Sequence, residues 1–361
     1  MRPQKARVRP IIFAALLGIL LPPVSSLTHA LLQDDGLALL GRGAAWARNH
    51  RLDGLVDKLE EWKYSAPPPK EAAESLAIST EMEKPSGIDV AALKAIVPQV
   101  SPALPNEGTW SVARSLGELP VVWVAGARTS QLYPSITTTF MLIDAKNVAA
   151  RLYNGTEVPG GRHWIFGNKV ADIDQPNLVA AFNGGFRLSH RAGGYYAEGE
   201  TVMPLLPDKA TIGIDRFGNF SMGIWGVTPF FNDASVGRWA SLRQNLLPIL
   251  IDGQLNPALK SGYWGGGGNG EIYILRSAVC MRRDGNIVFA ISGMTDAIEI
   301  AKAMQLADCD LAMQLDQNAS YPRGLTYEAG VPQRIDRRMA GKDNEYLRYS
   351  LRDFYAFFET E

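Results

Sequence analysis

The spacing of apolar residues along this chain changes character near residue 119. Before it, Leu39, Leu40, Ala44, Trp46, Leu52, Leu55, Leu59 and Trp62 recur at close to helical spacing, which predicts helix within 35–62. Pro67, Pro68 and Pro69 end that pattern. A weaker helical pattern runs from Asp89 to Ile96, closed by Pro98, Pro102 and Pro105. Residues 34–110 therefore read as a helical, Pro-rich spacer on the surface of a larger domain, in preference to a binding module.

From Leu119 onward the apolar runs shorten and become β-rich. Val121–Ala125, Thr137–Asp144, Leu178–Phe182, Thr211–Asp215, Phe220–Ile224 and Ile249–Asp252 read as strands separated by turn residues. Ile272–Arg282 and Ile287–Ser292 form the clearest hairpin, because Asp284-Gly285 suits the positive φ values of a tight turn. Thr295 is the expected N-cap of a helix with Asp296 in its first turn and Ile298, Ala301, Ala303 and Leu306 on its apolar face. A strand over Asp308–Leu315 follows it. The pattern predicts one α+β domain over 111–361, a mixed or antiparallel sheet core with a few packed helices.

The N-terminus adds a different signal. Arg2, Lys5, Arg7 and Arg9 precede the apolar run Ile11–Leu21, which Pro22 and Pro23 interrupt. Residues 1–33 are thus expected to be a signal peptide cleaved after Ala30 or near Ser26, or an uncleaved membrane tether over Ile11–Leu32, with a buried structural helix as the third alternative. Export to a secreted, periplasmic or cell-envelope location follows from the first two. Lys and Arg number 36 against 37 Asp and Glu, a net charge of -1, so nothing draws the chain generally to nucleic acid, and none is expected as a partner. An oxidising compartment would let Cys280 and Cys309 pair, while their apolar surroundings suit buried free thiols equally, so the sequence leaves both open. Neither cysteine has metal-ligand spacing, and no cofactor or metal is expected. The chain has no His-Glu-x-x-His, Cys-x-x-Cys, P-loop or Gly-x-Ser-x-Gly, so zinc protease, nucleotide hydrolase and ordinary serine esterase readings lack their residues.

Four segments carry candidate chemistry, each an apolar strand running into glycines, amides or a charged side chain. In Val179–Phe186, Asn183 with Gly184 and Gly185 would let backbone N–H groups approach an anion. In Arg243-Gln244-Asn245, leading to Pro248–Gly253 with Asp252 near its end, Arg243 is a candidate bidentate phosphate clamp. Arg276, between Leu275 and Ser277-Ala278, must find a buried partner or line a cavity. In Ala312–Ser320, Asp316 closes a buried strand, with Asn318 and Ser320 after it, and suits acid, base or orienting work on a glycosidic bond. Each motif also has a bland reading: a tight turn, a surface arginine, a structural ion pair and a turn-capping Asp. Tyr263-Trp264, before Gly265–Gly268, is either a sugar-stacking platform or a surface loop, while His190 and His163 read as solvated loop histidines.

In this order the four segments resemble the phosphodiester glycosidase family over roughly Leu119–Tyr355. The family's Asn-Gly-Gly-Phe turn matches Asn183–Phe186, and its Arg-Thr-Ala strand matches Arg276–Ala278. Its Leu-Asp-Gly-Gly-Gly-Ser falls on Leu315–Ser320, with Gln317, Asn318 and Ala319 in place of the three glycines. The chain is similar to a bacterial branch carrying Arg-Gln-Asn and Leu-Asp-x-Asn signatures. The resemblance implies an exported glycosidase that hydrolyses a sugar-1-phosphodiester in a cell-envelope or extracellular glycan. Asp316, Arg276 and Asn183 would then be catalytic, and Gly184, Gly185, Arg243, Asn245, Asp252, Asn318 and Ser320 would bind substrate. The glycine replacements keep two alternatives alive: a non-catalytic envelope module that binds anionic glycan, and a structural partner in envelope assembly.

Overall fold

Alternate side chains of the longest strands enter two different cores, and that alternation decides the architecture. In the strand Ile287–Thr295 (β14), Ile287, Phe289 and Ile291 belong to one core while Val288 and Ala290 belong to another. The same division separates Met141 and Ile143 from Phe140 and Leu142 in Thr137–Ile143 (β3). A strand apolar on both faces must be covered on both. The computed structural model that shows this describes residues 25–32, 42–44, 46–47, 50–79, 93–161, 163–261, 264 and 272–360.

Among the described residues three sheets result, and their named strands all pair antiparallel. The largest has eight strands, with Ser111–Leu116 (β1) and Leu119–Arg128 (β2) beside β3 and β14. Ile274–Arg282 (β13), Cys309–Gln317 (β15), Leu250–Ile251 (β11) and Gln254–Leu255 (β12) complete it in that order. A five-stranded sheet runs Glu200–Met203 (β7), Tyr195–Ala197 (β6), Trp239–Gln244 (β10), Ala210–Asp215 (β8), Phe220–Ile224 (β9). The third runs Val331–Arg334 (β17), Gly324–Glu328 (β16), Leu178–Asn183 (β5), Phe354–Glu359 (β18), Val148–Tyr153 (β4). All three sheets contribute to the main core, where Phe182 stacks on Phe289 at 4.8 Å and meets Tyr355 and Phe357, both at 5.3 Å. The other face of the large sheet is covered by the helix Ala297–Leu306 (α2) through Ile300, Ala301, Ala303 and Met304.

This is the α+β class expected, with local differences that have local causes. The N-cap of α2 is Asp296, not Thr295: its carboxylate accepts from Glu299 N at 2.8 Å, a charge-assisted cap beside the helix dipole. In the β13–β14 turn only Gly285 has positive φ, at 85°; Asp284 instead accepts from Asn286 N at 3.0 Å through its side chain. Of the stretch 35–62 expected to be helical, residues 42–44 and 46–47 are helical, and a further helix runs Asp53–Tyr64 (α1), with Leu55, Leu59 and Trp62 exposed and Val56 buried. Its end docks through Tyr273 N to Tyr64 O at 2.9 Å. Residues 93–96 are not helical, and the remainder of that expected helix lies outside the described residues, as does the apolar run 11–21. Among the described residues no helix is long and apolar enough to cross a membrane.

Residues 93–110 are tied closely to the sheets. Ile96 and Trp110 are buried, and Glu107 forms a buried ion pair with Arg128 at 2.6 Å. The Glu107 carboxyl also accepts from the backbone N–H groups of Leu104 and Arg128, and this donor set holds its pKa below the ordinary glutamate value although burial opposes it.

Cys280 and Cys309 form a disulfide between the neighbouring strands β13 and β15, closing the alternative of free thiols. Loop closure over a 29-residue separation corresponds to about 3–4 kcal/mol in the chain-entropy treatment. Replacing both cysteines by serine is expected to lower the denaturant midpoint by a matching amount. Equilibrium unfolding of oxidised protein against the double variant measures it, and equal midpoints would show that the bond adds nothing to stability.

Candidate functional site

The three sheets meet at the C-terminal ends of β5 and β15, the middle of β13, the end of β10 and the residues just before β18. Asn183 ends β5, a strand buried along its whole length. Its Nδ2 donates to Ser277 Oγ at 2.9 Å, and Ser277 Oγ also accepts from Asp316 N at 3.2 Å. Asn183 Oδ1 accepts from Arg323 N at 2.9 Å. Asn183 therefore joins β5, β13 and β15, with its amide group used by protein on both sides.

The glycines that follow serve close packing. A Cβ on Gly184 would lie 2.4 Å from Asp353 Oδ2, and one on Gly185 would lie 2.9 Å from Asn245 Cγ. Gly184 N donates to Asp353 O at 2.9 Å and Phe186 N to Asn245 Oδ1 at 3.1 Å. This corrects the expectation that these glycines open the backbone to a ligand: here they admit protein side chains. Asn245, completely buried, also donates from Nδ2 to Gln314 O at 2.6 Å and Leu315 O at 2.8 Å, so it is a brace between the turn and β15 and not a substrate contact.

Neither Arg243, the expected phosphate clamp, nor Arg276, expected to be catalytic, is open to a ligand. Arg243 donates from Nε to Asp353 Oδ2 at 2.8 Å, from Nη1 to Gln244 O at 2.7 Å and from Nη2 to Phe186 O, with its guanidinium 5.3 Å from the Tyr195 ring. The Asp353 carboxylate raises its pKa while burial opposes. Arg276 donates to the carbonyls of Thr295, Trp264 and Ile272 and to the side-chain oxygens of Gln314 and Gln317. Burial pushes its pKa down to about 10, with Asp296 opposing. Both side chains are sealed in the interior.

Asp316 is placed differently. Its Oδ1 accepts from Gln317 N at 2.7 Å, and its Oδ2 meets Arg352 Nη2 at 3.1 Å. Burial raises its carboxyl above the ordinary aspartate range, and Asp353 adds to the rise; Arg352, the Gln317 N–H and Arg187 act against it. Among the described residues the Arg352 guanidinium donates from Nη2, to Asp316 Oδ2 and to Gly185 O at 2.9 Å, and it lies 4.7 Å from the Tyr321 ring. Its buried Nε has no acceptor among the described residues. A carboxyl destabilised as an anion thus sits beside a guanidinium with donors to spare, at side-chain exposures of 8% and 10% that leave a narrow opening to solvent.

The other expected residues separate. Asn318 accepts from Ser320 N at 2.9 Å through Oδ1, a local turn that keeps buried Ser320 near the end of β15. Asp252 is exposed at the β11–β12 turn with φ 52°, and its carbonyl accepts from Arg283. Gly253 N bonds Asp310 O, six positions before Asp316 on β15, so Asp252 stands roughly 20 Å from the site and is a turn residue. Trp264 is buried, donating to Leu247 O at 3.0 Å, which removes it as a stacking platform; Tyr263 lies outside the described residues. His190 is exposed against Phe186, and exposed His163 pairs with Glu200 at 3.0 Å. Among the described residues no three His, Cys, Asp or Glu side chains gather as metal ligands.

Sequence reasoning missed Arg352 and Asp353. A signal was present: Arg-Asp directly precedes the apolar run Phe354–Phe358, the mirror image of strands that run into polar groups. Two surface clefts, of about 400 and 440 Å³, lie elsewhere, the first against β4, β8 and β10 and the second around Lys169 and Arg348. Neither is lined by Asp316.

Fold and site together define an α+β, mainly antiparallel protein with an acid–guanidinium pair where three sheets meet. No family model matches the chain, and no curated protein matches it. Among solved structures it is similar to the catalytic domain of zebrafish N-acetylglucosamine-1-phosphodiester alpha-N-acetylglucosaminidase auto-inhibited by its pro-peptide, at 12% identity and TM-score 0.44, covering 70% of this chain and 88% of that one. It is also similar to a hypothetical protein from Synechocystis, at 12% identity and TM-score 0.43, covering 66% and 64% of the two chains. A Burkholderia pseudomallei protein named as exported matches at 12% identity and TM-score 0.39, covering 62% and 74%.

The ion pairs differ sharply in burial, which yields a stability prediction. Asp353→Ala leaves the Arg243 guanidinium buried without its carboxylate and is expected to cost about 3–5 kcal/mol. Asp174→Ala, at a pair with Arg151 whose side chains are both 32% exposed, should cost under about 1 kcal/mol. Urea unfolding of the two variants checks the ranking, and comparable losses would show that the Arg243–Asp353 pair is no keystone.

Proposed function

We propose that the protein is an exported hydrolase that cleaves the bond between a sugar C1 and a phosphodiester oxygen in an envelope or extracellular glycan. The observation that carries this reading is the Asp316–Arg352 pair, a high-pKa carboxyl beside a guanidinium with free donors. The ordered motifs around Asn183, Arg276 and Asp316 support the sugar phosphodiester as substrate. The basic, then apolar N-terminus and the Cys280–Cys309 disulfide support a destination in an oxidising compartment.

In the reaction the C1–O bond breaks, the phosphate departs with the bonding electrons, and a water oxygen takes its place on C1. Arg352 donates to the phosphate oxygens, where negative charge grows as the bond lengthens. Asp316 as carboxylate takes the proton of the attacking water or stabilises oxocarbenium character at C1. A phosphodiester is a good leaving group, so a guanidinium can serve where an ordinary glycosidase needs a strong general acid. Asn183, Ser277, Arg243 and Arg276 hold the strand ends that orient the pair.

Asp316→Asn is expected to reduce sugar release from sugar-1-phosphodiesters by at least about 10²-fold, and Arg352→Met by about 10²–10³-fold, with both proteins folded. Because burial raises the Asp316 pKa, the carboxylate forms only above the ordinary aspartate range, and activity should rise with pH through that displaced window. Stability runs the opposite way. Below the unfolded-state pKa the group is neutral in both states, and as pH climbs towards the raised folded value the buried anion costs stability. The Asn variant should lose both dependences. Undiminished turnover in Asp316→Asn removes that residue from the mechanism, and tight binding without product across a panel of such diesters would favour a glycan-binding module.

A further inference from the structure

We propose that Arg187 is a second anion-binding guanidinium of this site, and that Glu157, its carboxylate partner, sets a preference for a singly charged phosphodiester over a doubly charged phosphate monoester. The proposal rests on reading the Asp316–Arg352 pair as an anion site, and it adds what that reading leaves open: the charge of the phosphate accepted.

The segments that carry these side chains both touch Arg352 or the residues leading into it. Arg187 follows the 184–186 turn, which is fixed by Arg243 at Phe186 O, by Asn245 at Phe186 N and by Arg352 itself at Gly185 O. Glu157 lies on the loop 155–159, which rests on the residues leading into Arg352. Glu157 N and Val158 N both donate to Leu351 O, at 2.8 and 3.1 Å, and Thr156 N donates to Ser350 O at 3.3 Å. At the base of that loop a Cβ on Gly155 would lie 2.6 Å from Arg352 N, so the two segments are in direct backbone contact. Arg187 Nη2 and Glu157 Oε2 then meet at 3.1 Å.

Exposure separates this pair from the scaffold pairs. The side chains of Arg187 and Glu157 are 14% and 29% exposed, against 1% and 0% for Arg243 and Asp353. A solute can reach the first pair and exchange one anion for another on its guanidinium; the second is closed. The field of Arg187 extends to Asp316, where it favours the carboxylate.

Charge balance gives the selectivity. Asp316, Asp353 and Glu157 face Arg352, Arg243 and Arg187, so the cluster is formally neutral before an anion enters. A diester monoanion adds a single negative charge, while a monoester dianion adds two beside three carboxylates in a partly desolvated site. Glu157 is the carboxylate nearest solvent and takes no part in bracing the strands, so it is the one whose charge tunes the balance.

The test is calorimetric titration of the purified protein at pH 8 with dimethyl phosphate, a monoanion, and methyl phosphate, which is mostly dianionic there. Wild type should bind dimethyl phosphate more tightly. Glu157→Gln should strengthen methyl phosphate binding by about tenfold and erase the preference, and Arg187→Gln should weaken both ligands by about tenfold. Glu157→Asp, which keeps the charge, should retain the wild-type preference, and circular dichroism confirms that each variant is folded. Unchanged methyl phosphate affinity in Glu157→Gln, undiminished binding in Arg187→Gln, or wild-type protein that binds neither ester overturns the proposal. If the affinity shifts occur but no sugar-1-phosphodiester is turned over, the proposal stands and the hydrolase reading falls.

Discussion

The buried pair of Arg243 and Asp353 is the constraint on which the rest of the site depends. Arg243 belongs to the β6–β10 sheet, and Asp353 immediately precedes β18 of another sheet, so their 2.8 Å contact fixes how two separately hydrogen-bonded layers meet. Neither charge has access to water, and the interior tolerates them only as partners supported by further hydrogen bonds. Arg243 therefore also binds Gln244 O and Phe186 O, while Asp353 lies against Gly184 so closely that no side chain fits there. The backbone of 184–186 is shaped by that pair, and through Gly185 O it sets the position of Arg352.

The arginines around this junction illustrate why charge alone does not identify a binding residue. Arg243, Arg276 and Arg323 are more buried than Arg352, and each spends its donors on carbonyls, amides or a carboxylate of the protein. A guanidinium satisfied in this way gains little by turning to a ligand, since doing so would orphan the acceptors it already serves. Arg352 has an Nε without an acceptor among the described residues, and a carboxylate neighbour that is itself held at a raised pKa. Arg352 and Asp316 are thus the less satisfied charges of this junction, and the fully bonded arginines around them supply rigidity.

Much of the fold was legible because its central strands are apolar on both faces and bounded by turn residues. β2, β3, β5, β8, β9, β13, β14 and β15 all fall on expected runs, and α2 begins one residue later than its capping pattern indicated. Strands such as Val148–Tyr153 and Trp239–Gln244 were not evident, because Arg151 and Arg243 interrupt the apolar pattern and only tertiary partners explain them. Shared strand-end chemistry singled out Asn183, Arg243, Arg276 and Asp316, but it did not show that Arg243 and Arg276 would be sealed in the interior and spent on protein acceptors. Whether an arginine faces inward or outward is decided by partners up to 110 positions away in the chain, as for Arg243 and Asp353. Asp252 misled because a carboxylate after an apolar run looks the same in a hairpin turn as in a site.

Gln317, Asn318 and Ala319 stand where the family that the sequence resembles has three glycines, which bears on how the strand end holds its geometry. Glycine would be needed there if the backbone took positive φ, but none of Gln317, Asn318 and Ala319 does so. Gln317 instead offers its side-chain oxygen to the buried Arg276 guanidinium, and Asn318 closes the turn onto Ser320 N. Side-chain hydrogen bonds thus do the work of directing the chain, and Asp316 remains at the end of β15 with its Oδ2 on Arg352. The side chains of Gln317 and Asn318 are thus spent on the protein itself, and they leave the acid–guanidinium pair in place.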